Sequence, residues 1–443
     1  MENSSSKINL SWYIFPSVLF LVAHFQLAYL TPRRTDISSI WIFLALAFIA
    51  YFSILKRFND SNHQKLNLGL AIISRFLLLF SFPLLSDDIY RFIWDGSLML
   101  HGMNPLSFTP QELMLEKLDW LDPLLFQKMN SPAYYSVYPP INQLAFLLSA
   151  IPGKGNLLAS VVILRTFILA FDIGNILILK KLLRFFKKDE RLVFIYALNP
   201  LVIIELTGNL HFEAVMIFFT LLSVWLLVTN KWILASLALT LAISAKLLPI
   251  IFLPLFIHHI GWKKTFYACL IVGFTTSILF LPFIYNIELA SHFLQSIQLY
   301  YGKFEFNGSV YQILKAIGWK ILHYNPIAYT SKILFMLTLI GFIITYIKSK
   351  NIIEGIFWLL FIYTLFGAIV HPWYMLILVA FTPLLKWRFA VLWSVLICLS
   401  YFTYRVIPYK EEMILVWTEY GMLGLFMAYE LVFKHRRREN FLR

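Results

Sequence analysis

The chain has 443 residues, of which 60% are hydrophobic, 18% aromatic and 14% charged, and its formal net charge is +14. This composition, with a mean hydropathy of +0.74, exceeds what a water-soluble core can bury, so it excludes an ordinary soluble protein and indicates a polytopic membrane protein. The positive charge does not indicate nucleic-acid binding, because Lys and Arg stand in short clusters between apolar runs, as membrane topology requires.

Apolar runs along the chain predict an all-α membrane protein of about fourteen transmembrane helices, because most runs approach the length that crosses a bilayer. The predicted spans lie at about 11–30, 38–55, 66–85, 157–180, 192–208, 212–229, 232–245, 247–260, 265–285, 328–347, 352–370, 373–386, 389–405 and 412–433. The first span has no small-residue cleavage site behind it, so we expect it to be retained.

Basic residues set the orientation of these spans, since short loops rich in Lys and Arg stay in the cytoplasm. The basic clusters are Lys56 with Arg57 and Lys65, Lys180 to Arg191, Lys263 with Lys264, Lys348 with Lys350, and Lys434 to Arg438. They place both termini in the cytoplasm and the carboxyl end of the third span on the extracytoplasmic side. Arg33 and Arg34 in the first loop oppose this orientation, and we follow the other clusters.

We expect one transmembrane domain over residues 1–443, with long extracytoplasmic segments at 86–156 and 286–327 and a basic cytoplasmic tail at 434–443. Within the first segment, an apolar stretch of about twelve residues after a pair of prolines is too short to span, so we interpret it as a helix in the outer interface. A full span is the alternative, and it would reverse the orientation of everything downstream.

Two adjacent carboxylates, Asp87 and Asp88, follow directly on the third predicted span, where hydrocarbon gives way to water. If the chain continues there as a helix, Arg91 lies three or four residues further on and shares a face with both acids. Ionisable residues at such a position usually mark a functional site. The alternative is a solvated loop in which Asp88 and Arg91 form an ion pair.

Further ionisable and aromatic side chains fall on the same predicted side of the membrane. The whole set is Asp87, Asp88, Arg91, His211, Glu213, Lys246, His371 and Tyr374. It combines carboxylates that can take a proton from a hydroxyl with cations that can stabilise a phosphate leaving group. The dense aromatic residues between Tyr300 and Tyr311 fit either an interfacial belt or a platform for a sugar ring.

Other polar residues within the apolar runs have structural explanations. Arg165 and Asp172 lie on one helical face, about 10 Å apart, and with Arg75 we expect them to form buried pairs inside the bundle. Cys269 and Cys398 are too few for a disulfide framework or a thiolate metal site.

We expect neither a metal nor another cofactor. His258 and His259 lie on the predicted cytoplasmic side without carboxylate partners. The carboxylates at 87 and 88 leave Mg²⁺ or Mn²⁺ open in principle, but two carboxylates are too few to argue for a cation site.

Six short motifs stand in a fixed order along the chain. They are Asp87-Asp88-Ile89-Tyr90-Arg91, Gly102-Met103-Asn104-Pro105, Tyr138-Pro139-Pro140, Asn209-Leu210-His211-Phe212-Glu213, Ala245-Lys246 and His371-Pro372-Trp373-Tyr374. Together they resemble the GT-C superfamily of integral-membrane glycosyltransferases, and within it the bacterial mannosyltransferases that use polyprenyl-phosphate-mannose. The resemblance covers about residues 66–375, and none of its motifs identifies which sugar is transferred.

The resemblance implies an inverting transfer of a sugar from a polyprenyl-phosphate donor to a hydroxyl of a glycan or glycolipid acceptor. In the family that the chain resembles, this sugar is mannose. It implies a metal-independent enzyme of the bacterial inner membrane, with its active site on the extracytoplasmic face. The implied catalytic residue is Asp87 as general base, with Asp88 as its rival. Residues for the donor phosphate are Arg91, Lys246, His371 and Tyr374, and residues for the acceptor or sugar are His211, Glu213, Asn104, Tyr138 and Gln143.

Two other classes of membrane protein fit parts of this pattern. A transporter of lipid-linked sugars or solutes is also basic and aromatic, but transporters carry paired repeats and ionisable residues near the midplane, whereas these charges gather at one boundary. A polymerase or ligase that takes oligosaccharide from a lipid diphosphate would use similar chemistry. Transfer of a labelled sugar by purified protein distinguishes the three classes.

Overall fold

The structure is a computed structural model that describes residues 10–31, 33–56, 63–153, 155–302 and 304–439. Over these ranges the fold is all-helical and contains no named strand, as the sequence predicts. The α-helices are α1 Leu10–Phe25, α2 Ile37–Leu55, α3 His63–Leu77, α4 Asp88–Leu100, α5 Pro110–Leu113, α6 Pro123–Lys128, α7 Pro140–Ala150, α8 Leu157–Phe185, α9 Phe194–Ala197, α10 Pro200–Val202, α11 Glu213–Val228, α12 Trp232–Ala245, α13 Ile257–Phe280, α14 Ile287–Gly302, α15 Ser309–Leu322, α16 Ile327–Lys348, α17 Ile352–Leu365, α18 Leu376–Phe381, α19 Phe389–Leu396 and α20 Met413–Glu439.

Several helices are long and apolar enough to cross a membrane, which indicates a membrane protein. By length and composition, four of the described helices qualify, at Tyr13–Leu30, Ile37–Leu55, Leu157–Phe185 and Ile327–Lys348. A fifth span results if the pair Glu190–Ala197 and Pro200–Gly208, bent by 55°, is counted as one. The predicted count of about fourteen spans is therefore not confirmed.

Shorter or broken helices account for the difference in span count. The predicted span at 247–260 consists of a 3₁₀ segment, Leu248–Phe256, followed by a short helical piece that ends at a non-helical glycine, Gly261. Proline within the 3₁₀ segment removes a backbone donor and disfavours continuous α-helix. The predicted spans at 373–386 and 389–405 likewise alternate between short α and 3₁₀ turns.

The third predicted span is also shorter than expected, and its early end positions the two adjacent carboxylates. α3 ends at Leu77, and the chain passes without regular helix through Pro83 until α4 begins. Asp87 therefore occupies the N-cap position of α4, without a side-chain hydrogen bond to the helix, and Asp88 lies in its first turn. The positive end of the helix dipole favours carboxylates at both positions.

The segment predicted as a polar extracytoplasmic loop, 86–156, instead folds into α4 to α7 and the turns between them. α7 begins at Pro140, so the paired prolines do start a helix. α4 and α7 approach so closely that a side chain on Gly96 would collide with the backbone carbonyl of Phe146. Glycine is therefore required at this crossing, which fixes the direction of α4.

The second segment predicted as a loop, 286–327, also contains helices, namely α14 and α15. Between them, Phe306 forms an isolated bridge with Ile369, which follows α17. The tail predicted at 434–443 begins inside α20, and residues 440–443 lie outside the described residues.

A buried arginine joins α3 to α8 in an ion pair of the kind expected inside the bundle. Asp172 of α8 binds Arg75 of α3 at 2.6 Å, and both side chains are fully buried. Arg165 is not its partner, because two turns of one helix separate residues 165 and 172 by about 10 Å, whereas Arg75 faces Asp172 from a neighbouring helix.

Arg165 binds backbone oxygens and links the two segments that lead into the site described below. Its guanidinium donates hydrogen bonds to the carbonyl oxygens of Leu79, Ser81, Thr207 and Gly208. The first pair precedes Asp87 and the second pair precedes His211. The prediction that Arg165 is structural is consistent with these contacts, which are to backbone oxygens rather than to a carboxylate.

Candidate active site

Polar residues from segments far apart in the chain meet in one place. We call this group the polar cluster, and its members are Arg34, Asp87, Asp88, Glu205, His211, Glu213, Lys246, His371, Trp373 and Tyr374. Ion pairs, ring contacts and electrostatic interactions link its members. Most residues of the predicted set are among them, including both members of the carboxylate pair.

Asp87 is paired with a cation from the first loop. Its Oδ2 atom lies 2.6 Å from an Arg34 guanidinium nitrogen, and each side chain is about three-quarters buried. The same guanidinium lies over the rings of Tyr404 and Tyr409, at 5.5 and 5.4 Å from their centroids. Arg34 therefore belongs to the cluster, and its pairing with Asp87 gives the first loop a structural reason to contain a basic residue.

Among the described residues, Asp88 is the acid of the cluster that contacts no Lys, Arg or His side chain in an ion pair. Its Oδ1 atom accepts a hydrogen bond of 3.0 Å from the side-chain amide of Asn130, and the residue is half-buried. Burial raises the pKa of Asp88, opposed by the positive charge of His211 and the Asn130 hydrogen bond and reinforced by the charges of Asp87 and Glu213. Asp88 is thus a carboxylate of increased basicity that solvent still reaches.

Lys246 and Glu213 form the second ion pair of the cluster. α12 ends at Ala245 because Lys246 adopts an extended backbone, which directs its side chain to Glu213 at the start of α11. The ammonium also lies 4.4 Å from the ring centroid of Tyr374. Glu213 is 5% exposed, whereas Lys246 is 34% exposed, so the cation keeps an open side.

Two histidines flank the indole of Trp373. His211 stacks on it at a centroid distance of 4.0 Å and His371 at 4.2 Å. Phe306 stacks on the other face of His371 at 4.7 Å. Burial, together with the charges of His211 and Lys246, lowers the pKa of His371 to about 3, so this imidazole is neutral at physiological pH.

Four predicted site residues make their contacts outside the polar cluster. Arg91 binds Asp95 at 2.7 Å and donates to two backbone carbonyls, so it does not form the ion pair with Asp88 that was the alternative interpretation. α4 turns Arg91 to the next acid along the helix, where both side chains are buried. Gln143 donates hydrogen bonds to Asp95 and Ser136.

The other two residues of this group also serve packing. Tyr138 packs edge-on against the rings of Phe92 and Phe146. The Asn104 amide donates to the carbonyl of Phe283 at 2.9 Å and accepts from the Leu106 amide. Asn104 thereby holds the turn after α4 against the segment after α13.

Sequence reasoning missed several members and neighbours of the cluster, namely Arg34 as a site residue, Asn130, Glu205, Trp373 and Tyr401. Glu205 is fully buried inside a predicted span, and an acid in such a run is itself a signal of function. Arg34 was recognised only as a charge on the unexpected side. Asn130 and Tyr401 carry no sequence signal of their own.

The charges of the cluster pair in a definite way. Asp87 binds Arg34, Glu213 binds Lys246, and Glu205 contacts His211, whereas Asp88 has only an amide hydrogen bond. The arrangement can therefore accept a proton at Asp88 and hold negative charge near Lys246. Among the described residues, no group of three His, Cys, Asp or Glu side chains is arranged to hold a metal ion.

Comparison with known proteins assigns the chain to a family. No curated protein matches the chain at a significant level. A family model described as alpha-(1->6)-mannopyranosyltransferase, N-terminal domain, matches residues 20–261, which is more than half of the 443 residues and includes Asp87, Asp88, His211 and Lys246. The chain therefore belongs to the MptA_B family of mannosyltransferases.

Proposed function

We propose that the protein is an inverting mannosyltransferase that moves mannose from a polyprenyl-phosphate donor to a hydroxyl of a glycan or glycolipid acceptor. The family supports the transferred sugar. The observation that carries the proposal is the half-buried carboxylate of Asp88, which has no cationic partner in the described chain. A transfer to a hydroxyl needs such a base close to the reacting atoms.

In the proposed reaction, Asp88 accepts the proton of the acceptor hydroxyl while the hydroxyl oxygen attacks the anomeric carbon C1 of mannose. The bond between C1 and the phosphate oxygen breaks in the same step, and polyprenyl phosphate leaves with the electron pair. Attack from the face opposite the leaving group inverts the configuration at C1. The raised pKa of Asp88 favours this role, because a base works best when its pKa approaches the working pH.

The proposal assigns the base to Asp88, although the sequence resemblance placed Asp87 first. A carboxylate engaged with a guanidinium is a weaker base, and Asp87 is held by Arg34 at 2.6 Å. Asp87 would instead fix Arg34 and the start of α4. Its negative charge raises the pKa of Asp88.

Lys246 is the proposed contact for the donor phosphate. Its partly exposed ammonium can bind a phosphate oxygen while it remains paired with Glu213. Tyr374 supports the ammonium with its ring face. We leave Arg91 out of the phosphate site because it is buried against Asp95.

We propose that the polar cluster faces the extracytoplasmic side of a bacterial inner membrane in a GT-C-like architecture with both termini in the cytoplasm. The basic clusters at Lys180 to Arg191 and at Lys348 support this orientation. A lipid carrier would present its phosphate at the same depth as the cluster, since head groups lie at the membrane boundary.

The proposal is tested with purified protein in detergent, labelled polyprenyl-phosphate-mannose and mannose-containing glycan acceptors. We expect labelled mannose on the acceptor, with a configuration opposite to that of the donor, and no transfer from a sugar nucleotide. Asp88→Asn protein prepared in the same way sets the background. Transfer from the sugar nucleotide, or retention of configuration, would overturn the proposal.

A further inference from the structure

The carboxylate of Glu205, which has no role in the proposed reaction, contacts His211. Glu205 is fully buried, and its carboxylate lies 2.9 Å from Nδ1 of His211. The backbone carbonyl oxygen of Glu205 is also 2.9 Å from the same nitrogen. Tyr401 donates a hydrogen bond to the carboxylate from its other side. His211 therefore has one ring nitrogen fixed by a single residue.

The backbone around Glu205 and His211 is unusual. Residues Ile203–Gly208 form a π-helical turn, a feature that occurs often at functional sites. Leu210 has a φ of 65°, in the left-handed region that residues other than glycine seldom adopt. Such conformations persist where the surrounding structure enforces them, typically at sites. Together they turn the chain so that His211 faces back to Glu205.

The second ring nitrogen of His211 is available for a ligand. Nε2 is buried and has no hydrogen-bond partner among the residues that the structure describes. A buried polar group left without a hydrogen-bond partner is unfavourable and therefore calls for an explanation. The ring itself is held in place by its stack on Trp373.

We infer that Glu205 is a positioning residue that keeps His211 doubly protonated, with Nδ1–H held by Glu205 and Nε2–H reserved for an anionic oxygen of the donor phosphate. The inference rests on the proposed function, since it identifies a second phosphate contact besides Lys246. A charge-assisted hydrogen bond from an imidazolium to a phosphate oxygen is stronger than a neutral one. Glu205 would act on the donor only through His211.

The charges around His211 are consistent with an imidazolium. The acids that face it are Asp88 from α4, Glu205 from the π-helical turn and Glu213 from α11, while His371 contributes a neutral ring. Burial lowers the pKa of His211, but these three carboxylates, with Glu205 first, raise it above the ordinary histidine value. Tyr401 donates a hydrogen bond to Glu205, and Tyr404 interacts electrostatically with the same carboxylate.

The substitution Glu205→Gln removes the negative charge of residue 205 while nearly preserving the shape of its side chain. The glutamine has nearly the same volume, and the backbone carbonyl of residue 205 still accepts Nδ1–H, so the ring orientation is retained. The negative charge is lost, so the pKa of His211 falls. A carboxylate with a purely structural role would leave the titration of ligand binding unchanged.

The test measures binding of undecaprenyl phosphate, as a polyprenyl monophosphate probe, by the full-length protein in detergent between pH 5.5 and 8.5. We expect the wild-type Kd to rise as His211 loses its proton, and Glu205→Gln to shift this rise to lower pH. At pH 7.5 the Kd of the variant should be about tenfold higher, and at pH 5.5 the two values should converge. His211→Gln should bind weakly at every pH, and the double variant should bind no more weakly than His211→Gln.

The control is Glu430→Gln, another buried acid, which accepts hydrogen bonds from the backbone amides of Arg388 and Phe389. It should bind the probe as the wild type does. Thermal denaturation checks that wild type and Glu205→Gln are both folded. If they are, an identical pH dependence of the Kd in the two proteins would overturn the inference. Failure of the proposed function is a separate result, namely full mannosyl transfer by Asp88→Asn while the binding data remain as expected.

Discussion

Among the residues of the polar cluster, Asp88 differs from the other acids in what it binds. The neighbouring acid, Asp87, is neutralised by Arg34, and Glu213 is neutralised by Lys246, whereas Asp88 accepts one amide hydrogen bond. Local pairing thus distinguishes two adjacent residues of the same type. Adjacent positions in the sequence place the two carboxylates together, but the tertiary partner of each one decides its chemistry.

The raised pKa of Asp88 predicts the pH dependence of transfer. Only the ionised carboxylate can accept a proton, so the rate should fall as the pH drops through this pKa. The acidic limb should therefore lie above the value of about 3.9 expected for an ordinary aspartate. Asn130→Ala removes a hydrogen bond that stabilises the ionised form, so it should move the limb to higher pH.

The measurement is kcat/KM between pH 4 and 9, for the wild type and Asn130→Ala. A limb at the ordinary aspartate value, or a shift of the limb to lower pH in the variant, would contradict the assignment of Asp88. Thermal denaturation at each pH excludes unfolding as the cause of the limb.

At the scale of elements, the crossing of α4 and α7 positions the carboxylate pair. Gly96→Ala should lower the stability by about 1–3 kcal/mol, because its methyl group meets the backbone carbonyl of Phe146, which cannot rotate away. The matched control is Gly69→Ala in α3, where nothing lies within 4 Å of an added Cβ atom. There the substitution should be neutral or slightly stabilising, since alanine is the better helix former. Thermal denaturation in detergent compares the two, and equal melting temperatures would contradict the close crossing.

Sequence reasoning predicted the helical class and the positions of the acids better than their partners. Asp87, Asp88 and Glu213 border apolar runs, so their positions next to helix ends could be predicted from hydropathy alone. Their partners could not, because Arg34 and Asn130 come from segments whose packing is set by tertiary contacts. The expectation of buried pairs inside the bundle agrees with the Arg75–Asp172 ion pair, but which residues pair could not be predicted because the partners lie on different helices.

The segments predicted as loops show a second limit. The sequence predicts a mostly polar extracytoplasmic segment at 86–156 with one interfacial helix after the paired prolines, and the structure has four α-helices there, α4 to α7. The buried pair of Arg91 and Asp95 explains the difference, because polar residues that satisfy each other can face a core. A hydropathy analysis predicts that such residues are exposed to solvent.

At the scale of the whole molecule, the proposed reaction requires the polar cluster to lie on the extracytoplasmic side of the membrane, opposite the basic clusters. Cysteine is introduced singly at the exposed positions Thr35, Glu116 and Lys350 after Cys269 and Cys398 are replaced by alanine. We expect a membrane-impermeant maleimide to label positions 35 and 116 in intact cells and position 350 only after permeabilisation. Labelling of 35 and 350 under the same condition would contradict the proposed orientation.

The central claim is that Asp88 removes the acceptor proton, and chemical rescue tests it most directly. Asp88→Ala should slow transfer to the acceptor by about 10² to 10⁴-fold, while Asp87→Ala should lose less. Azide needs no base, so adding it to Asp88→Ala should restore release of polyprenyl phosphate and yield mannosyl azide of inverted configuration. Transfer by Asp88→Ala at the wild-type rate, or no azide product from a folded variant that still binds the donor, would contradict the account.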